Sequence, residues 1–354
     1  MRFVVFCSFV VNFYLSLADS LIFTANVFSL YFTWYFHPYS YIIQTMQKFK
    51  NPLKTADEQP RAFVDLERLD TLWINTGTLC NIECANCYIE SSPKNDALVY
   101  ITFDEVKTYL DEIKHEDMGT REIGITGGEP FMNRDILRIM DECLSRGFNL
   151  IVLTNAMQPM QRPKMLEGLM SLKERFGDKL TMRVSVDHFK SEMHEEERGR
   201  RSWAPMLKGL SWLSDNEFTI DIAGRTRWGE DEAELREGFA ELFKAHGIQI
   251  DAANKKELVL FPEMDDSADV PEITTGCWDI LGQSPSDIMC ASSRMIVKRK
   301  GADKPAVIAC TLLPYEDEFE FESTLKDSAK RVYLNHQHCA KFCVLGGGAC
   351  SVQE

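Results

Sequence analysis

From Thr71 onward, short β-rich apolar runs alternate with stretches whose apolar residues recur every three or four positions. The runs Leu72–Asn75, Glu122–Thr126, Asn149–Thr154, Leu180–Val186, Phe218–Ala223 and Glu257–Phe261 predict strands. Between them the spacing predicts helices. Thr102-Phe103-Asp104-Glu105 has the form of a capping box, and Val106, Leu110 and Ile113 follow at helical spacing. Ile136, Ile139, Met140 and Cys143 predict a second helix that stops at Gly147, with Cys143 as a small core residue. Leu166, Leu169, Met170 and Phe176 mark a third, Met206, Leu207, Leu210 and Leu213 a fourth, and Leu235, Phe239, Leu242, Phe243 and His246 a fifth. Strands alternating with helices in this way predict an α/β protein with a parallel sheet wrapped by helices.

The pattern breaks at both ends. After Phe261 the chain lacks long helical stripes, and Cys277, Cys290, Cys310, Cys339, Cys343 and Cys350 are spread through it. A segment of that kind buries little apolar surface of its own, and metal ligation is a usual remedy for small domains. At the other end, residues 1–45 carry no formal charge beyond Arg2 and Asp19, and no Lys, Arg, Asp or Glu occurs from Ser20 to Gln47. That stretch exceeds the roughly 20 residues that span a bilayer. Three readings of this leader fit: translation that begins at Met46, a membrane anchor, and an export signal with a small-residue site near Ser16-Leu17-Ala18. The first is preferred, because the composition becomes that of an ordinary soluble protein from Met46. The expected organisation is a leader over 1–45, an extension over 46–70, a core over 71–262 and a cysteine-rich module over 263–354.

Formal net charge is −15, so a DNA or RNA partner would need a concentrated basic patch to overcome the field. Arg198-Gly199-Arg200-Arg201 is the one short basic knot of note; it follows Glu195-Glu196-Glu197 and reads as solvated charge, so no nucleic-acid partner is expected.

Candidate chemistry centres on Cys80, Cys84 and Cys87, a C-x3-C-x2-C triplet in one loop. Structural zinc sites want four ligands in two pairs, and c-type haem attachment wants C-x-x-C-H. Eleven cysteines bunched at two places in an acidic chain of 354 residues do not form a small disulfide scaffold. Three thiolates from one loop can hold three irons of a [4Fe–4S] cluster and leave the fourth open for chemistry. Forty residues later comes Gly127-Gly128-Glu129-Pro130.

With both features the sequence resembles the radical S-adenosylmethionine (radical SAM) enzymes. The resemblance implies that Cys80, Cys84 and Cys87 bind the cluster and that the open iron is chelated by the amino and carboxylate groups of the cofactor's methionine part. It implies that Gly127, Gly128, Glu129 and Pro130 contact the methionine amino group, glycine allowing close backbone approach. It also implies a partial (β/α)6 TIM-like barrel, in which both motifs fall at carboxyl ends of strands and point into one mouth. At the same mouth Asn155, Ser185 and Arg225 are expected to contact the cofactor's ribose and carboxylate, with Asp187 or His188 as substrate contacts. One departure is visible: the position before the third cysteine is usually aromatic and here is Asn86, Tyr88 following the cysteine instead. Activity would be reductive cleavage of S-adenosylmethionine to methionine and a 5′-deoxyadenosyl radical, which abstracts hydrogen from the substrate. A reductant such as flavodoxin or ferredoxin would serve it in the cytoplasm, with membrane association if residues 1–45 are genuine.

Cys290, Cys310, Cys339 and Cys343, with a hairpin between the first two, resemble the SPASM and twitch auxiliary-cluster modules and imply a second [4Fe–4S] cluster; zinc is the alternative. Cys277 and Cys350 are spare or substituting ligands. No separate peptide-recognition domain is evident before Thr71, which favours a small molecule or short peptide as substrate. The rival class is a non-catalytic zinc or iron–sulfur protein that retains the barrel.

Overall fold

The computed structural model describes residues 48–263 and 268–347. The leader and Cys350 lie outside them, so the three readings of residues 1–45 are left where the sequence put them. After a short β1 (Phe63–Val64), the chain alternates strand and helix: β2 (Thr71–Asn75), α1 (Phe103–His115), β3 (Glu122–Thr126), α2 (Ile136–Ser145), β4 (Asn149–Thr154), α3 (Pro163–Phe176) and β5 (Leu180–Asp187). Two helices follow, α4 (Ser191–Arg198) and α5 (Trp203–Asp215), then β6 (Thr219–Thr226), α6 (Glu232–His246) and β7 (Leu258–Pro262). Beyond them are a short α7 (Cys277–Leu281), β8 (Ser293–Val297), β9 (Ala306–Ile308), β10 (Val332–Tyr333) and a π-helical turn at Cys339–Val344.

Strands β2 to β7 pair in sequence order, all parallel, which is the partial (β/α)6 barrel arrangement. Strands covered on both faces must be apolar along their whole length, and all five residues of β2 are buried. Helices supply the outer cover. Thr102 accepts the Glu105 N–H at 3.3 Å while the Glu105 carboxylate accepts the Thr102 N–H at 2.9 Å, so the capping box sets where α1 starts. Val106, Leu110, Ile139, Met140, Leu169, Met206 and Leu210 then close over Leu72, Ile74, Ile123, Ile125 and Val152 in one core. Each such side chain fully buried contributes about 1.5–3 kcal/mol.

Three features depart from the expectation. The sheet has eight strands, not six, because β8 lies parallel to β2, with Thr71 opposite Ser293, and β9 returns antiparallel to β8. Residues set apart by their cysteine pattern thus extend the barrel sheet, and the Cys290 to Cys310 hairpin is part of it. In α3 the buried stripe is Met165, Leu169 and Leu172, while Met170 is 37% exposed. His246 at the end of α6 is also exposed. Helix α4 had no apolar stripe to announce it; it is charged nearly all round, and only His194 and Glu197 are buried.

Candidate functional site

The carboxyl ends of the parallel strands bring the motifs to one cavity of about 170 Å³, whose wall includes Cys80, Cys84, Cys87, Gly127, Gly128, Asn155, Ser185 and Arg225. Glycine pairs the second loop with the first. Gly128 donates to the Gly77 carbonyl at 2.8 Å and Glu129 to the Leu79 carbonyl at 3.2 Å, so the Gly-Gly backbone lies flat against the chain that leads into Cys80. Gly127 has φ +134, and a Cβ on Gly128 would stand 2.3 Å from the Leu79 oxygen. The close approach here is to the cysteine loop itself. Gly128→Ala is therefore expected to displace that loop at a cost of roughly 1–3 kcal/mol, read as a lower thermal midpoint with loss of bound iron; unchanged iron content would overturn this account.

Glu129 and Pro130, next in the chain to the wall residue Gly128, are buried. The Glu129 carboxylate accepts from Thr154 Oγ1 at 2.8 Å, the Asn155 N–H at 2.9 Å and the Phe131 N–H at 3.3 Å. Burial pushes its pKa up to about 7 against those three donors. Its place in the architecture is to brace Asn155, whose Nδ2 donates to Asn81 Oδ1 at 2.9 Å and to Cys80 Sγ at 3.8 Å. Cys87 Sγ accepts the Ser91 N–H at 3.3 Å. Desolvation drives the Cys80 thiol up to about 12 and Cys84 to about 11, the latter partly offset by Arg198.

The far wall is charged. Asp187, at a register shift in β5 and with φ +60, receives Arg198 Nε at 2.5 Å and lies 3.3 Å from Arg225 Nε. Burial would raise its pKa, but the two guanidinium groups override it and hold the carboxyl below its ordinary range. Arg198, read from sequence as solvated charge, is in fact paired with the buried Asp187, its own side chain only 13% exposed. His188 does not line the cavity; the Lys190 N–H donates to its Nδ1, leaving Nε2 to face Glu230 at 3.1 Å. Tyr88 lines the cavity, with Arg225 4.9 Å over its ring and Phe342 in an edge contact at 6.4 Å.

Residues 74–237 match the Radical SAM superfamily. That segment, just under half of the chain, is a radical SAM domain. Among curated relatives, the antilisterial bacteriocin subtilosin biosynthesis protein AlbA of Bacillus subtilis (strain 168) is 34% identical over 145 residues, covering 41% of this chain and 30% of that protein. Mycofactocin maturase MftC of Mycolicibacterium smegmatis is 26% identical over 140 residues, 40% of this chain and 33% of that protein. The chain thus spans about a third of the length of these relatives. Streptococcus suis SuiB bound to S-adenosylmethionine superposes with a TM-score of 0.53 at 14% identity, over 73% of this chain and 64% of that one. SuiB bound to precursor peptide SuiA gives 0.52 at 13% identity, over 92% and 75%. At such identities the likeness is one of radical SAM fold.

Sequence reasoning missed the clamp on this radical SAM cysteine loop. Glu197 accepts the Asn86 N–H and Asn86 Nδ2, each at 3.0 Å, its carbonyl accepts the Ala85 N–H at 2.7 Å, and Arg225 Nη2 donates to the Asn86 carbonyl at 3.1 Å. Asn86 at a position usually aromatic was the available signal. From the tail, Tyr315 donates to the Ile89 carbonyl at 2.8 Å, and Thr311, Leu312 and Phe342 complete the cavity wall.

The tail cysteines gather as well. Cys290 precedes β8, Cys310 follows β9, and Cys339 and Cys343 sit on the π-helical turn, a geometry frequent at functional sites. Burial, with the Cys310 and Cys290 sulfurs, pushes Cys339 well up, and Cys343 packs in the same apolar cluster. Cys277 Sγ accepts the Thr274 N–H at 3.4 Å and lies at the same distance from Thr274 Oγ1. Among the described residues no three His, Cys, Asp or Glu side chains close on the spacing of a single metal ion. Ligands of a cubane need not, since each thiolate reaches a different iron.

Proposed function

We propose that the protein cleaves S-adenosylmethionine reductively at a [4Fe–4S] cluster on Cys80, Cys84 and Cys87 and modifies a peptide or small molecule by hydrogen abstraction. One observation carries the reading: the three thiols share a cavity wall with Gly127, Gly128, Asn155, Ser185 and Arg225. The donor set fits the cluster, because three cysteines of one loop meet on one cavity wall and cysteine thiolates are the ordinary ligands of iron–sulfur clusters. The wall fits a polar cofactor, because Trp73 Nε1 and Ser91 Oγ are buried there with no hydrogen-bond partner among the described residues.

A [4Fe–4S] cluster held by Cys80, Cys84 and Cys87 would supply the single electron for reductive cleavage of S-adenosylmethionine and, through it, the means of hydrogen abstraction from the substrate. The chain's own work is positioning. Arg225, Asn155 and Ser185 offer polar contacts from the cavity wall, and Glu129 holds the Asn155 backbone N–H. Trp73, Leu153, Phe261 and Phe342 exclude water from the cavity. The names of AlbA and of the SuiB complex favour a peptide over a small metabolite, and a cytoplasmic flavodoxin or ferredoxin would serve as reductant. Anaerobic reconstitution with S-adenosylmethionine and dithionite, scored for 5′-deoxyadenosine, separates this enzyme from a non-catalytic metal-binding barrel, which would release none.

We place a second [4Fe–4S] cluster on Cys290, Cys310, Cys339 and Cys343, in a SPASM- or twitch-like module over 263–354. Four thiolates saturate four irons, which suits electron transfer. Anaerobically purified protein should hold about eight irons and eight sulfides, and a variant lacking Cys80, Cys84 and Cys87 about half. Zinc without sulfide in that variant would make the tail a structural metal module.

A further inference from the structure

Among the described residues, four arginines are buried: Arg61, Arg183, Arg225 and Arg294. Three have carboxylate partners, Arg61 with Glu272 at 2.5 Å, Arg183 with Asp221 at 2.9 Å and Arg225 with Asp187 at 3.3 Å. Arg294, on β8 and 0% exposed, has none among the described residues. Its guanidinium is instead held by carbonyls: Ser328 at 3.0 Å, Cys290 at 2.6 Å, Ser293 at 2.8 Å and Lys330 at 3.2 Å. Those bonds satisfy the N–H groups but bring only partial charges to a full positive charge. A buried ion left so costs several kcal/mol unless an opposite charge lies nearby. Cys290 is in direct contact with the guanidinium through its carbonyl, and the sulfurs of Cys290 and Cys310 lie near enough to favour the charged form of Arg294 against its burial. As neutral thiols they compensate nothing; as thiolates on a metal centre they carry the missing negative charge.

We infer that Arg294 is the counter-charge of an anionic iron–sulfur centre on Cys290, Cys310, Cys339 and Cys343 and sets that centre's reduction potential. The inference rests on the auxiliary-cluster reading above. Net charge around a cluster is one of the levers on its potential. A fixed cation beside it stabilises the reduced, more negative state, so Arg294 raises the potential. Its fork of carbonyl bonds keeps that charge from turning away, and Phe321, 5.1 Å below the guanidinium, closes the other side.

The test uses the full chain with Cys80, Cys84 and Cys87 replaced by alanine, so that only the tail centre contributes, and follows its reduction by electron paramagnetic resonance against applied potential. Arg294→Gln and Arg294→Met remove the charge and are expected to shift the midpoint to more negative values with iron and sulfide retained; Arg294→Lys keeps the charge and should stay near the parent. An unchanged midpoint in Gln and Met variants that retain iron would leave the cluster in place and overturn the role of Arg294. Equal shifts in all three would assign the effect to lost hydrogen bonds and overturn it too. No iron or sulfide in the parent would sink the auxiliary-cluster reading and this inference with it. If both neutral variants fail to fold, the lysine variant decides: a parent-like midpoint supports a charge role, and the same folding failure indicates a carbonyl clamp and nothing more.

Discussion

Alanine at any one of Cys80, Cys84 and Cys87 is expected to bring 5′-deoxyadenosine formation down to background while the barrel stays folded. Chemistry and packing separate here. Each thiolate would hold one iron, so a single loss leaves a second iron without a protein ligand and spoils the one open position on which cofactor binding depends. The main core contains none of the three cysteines. Stability should therefore fall by only about 1 kcal/mol, the middle of the range for single substitutions. The backbone of the loop is also tied independently of the sulfurs, through Cys80 N–H to the Ser92 carbonyl at 3.1 Å and Thr78 N–H to the Leu98 carbonyl at 2.9 Å. The check is an anaerobic assay for 5′-deoxyadenosine alongside a thermal unfolding curve. Product formation that survived in all three single variants would refute the ligand assignment, and unfolded protein would show that the loop belongs to the core after all.

The barrel strands were legible because parallel strands buried on both faces are nearly continuous apolar runs. Glu122–Thr126 and Asn149–Thr154 fall where the sequence predicts, and the displacement of β6 to Thr219–Thr226 is the ordinary uncertainty of a strand end. What failed were contacts whose partners are distant in the chain. Nothing local to Ser293–Val297 says that it will lie beside Thr71–Asn75, more than two hundred residues earlier. Helix α4 shows the same limit more sharply. Arg198, directly after Glu195, Glu196 and Glu197, reads as solvated charge, yet Glu197 is turned inward by Asn86 and Arg198 by Asp187. Charged residues can be buried when paired, and pairing is invisible to periodicity. The candidate cavity was legible for a different reason: in a parallel α/β barrel, chain position alone carries Asn155, Ser185 and Arg225 to the same rim as the cysteines. Position did not tell Glu129 from its neighbours, and its carboxylate faces the end of β4.

Replacing Glu197 by alanine should cost about 3 kcal/mol, the lower end of what breaking a buried ionic contact costs, and should loosen the cysteine loop enough to release iron. Four donors converge on this residue: Asn86 N–H and Nδ2 at 3.0 Å, Arg227 Nη1 at 3.0 Å and, to its carbonyl, the Ala85 N–H at 2.7 Å. The side chain is 0% exposed, whereas that of Arg227 is 25% exposed and can turn to water, which keeps the penalty at the low end. Asn86 has no such escape, because it stands between Cys84 and Cys87 and its carbonyl is already gripped by Arg225. Glu197→Gln keeps an acceptor for the Asn86 N–H, and a flipped Asn86 amide can meet the new amide, so this variant should retain most of its iron. Asn86→Leu removes the side-chain bond but leaves both backbone contacts, and should fall between the two. Iron remaining after a fixed exposure to chelator, together with the thermal midpoint, ranks the three. If Glu197→Ala held its iron as firmly as the unmodified protein, the Glu197 side chain would be no clamp, and the loop would be held by its other ties, among them Arg225 to the Asn86 carbonyl and Cys80 N–H to the Ser92 carbonyl.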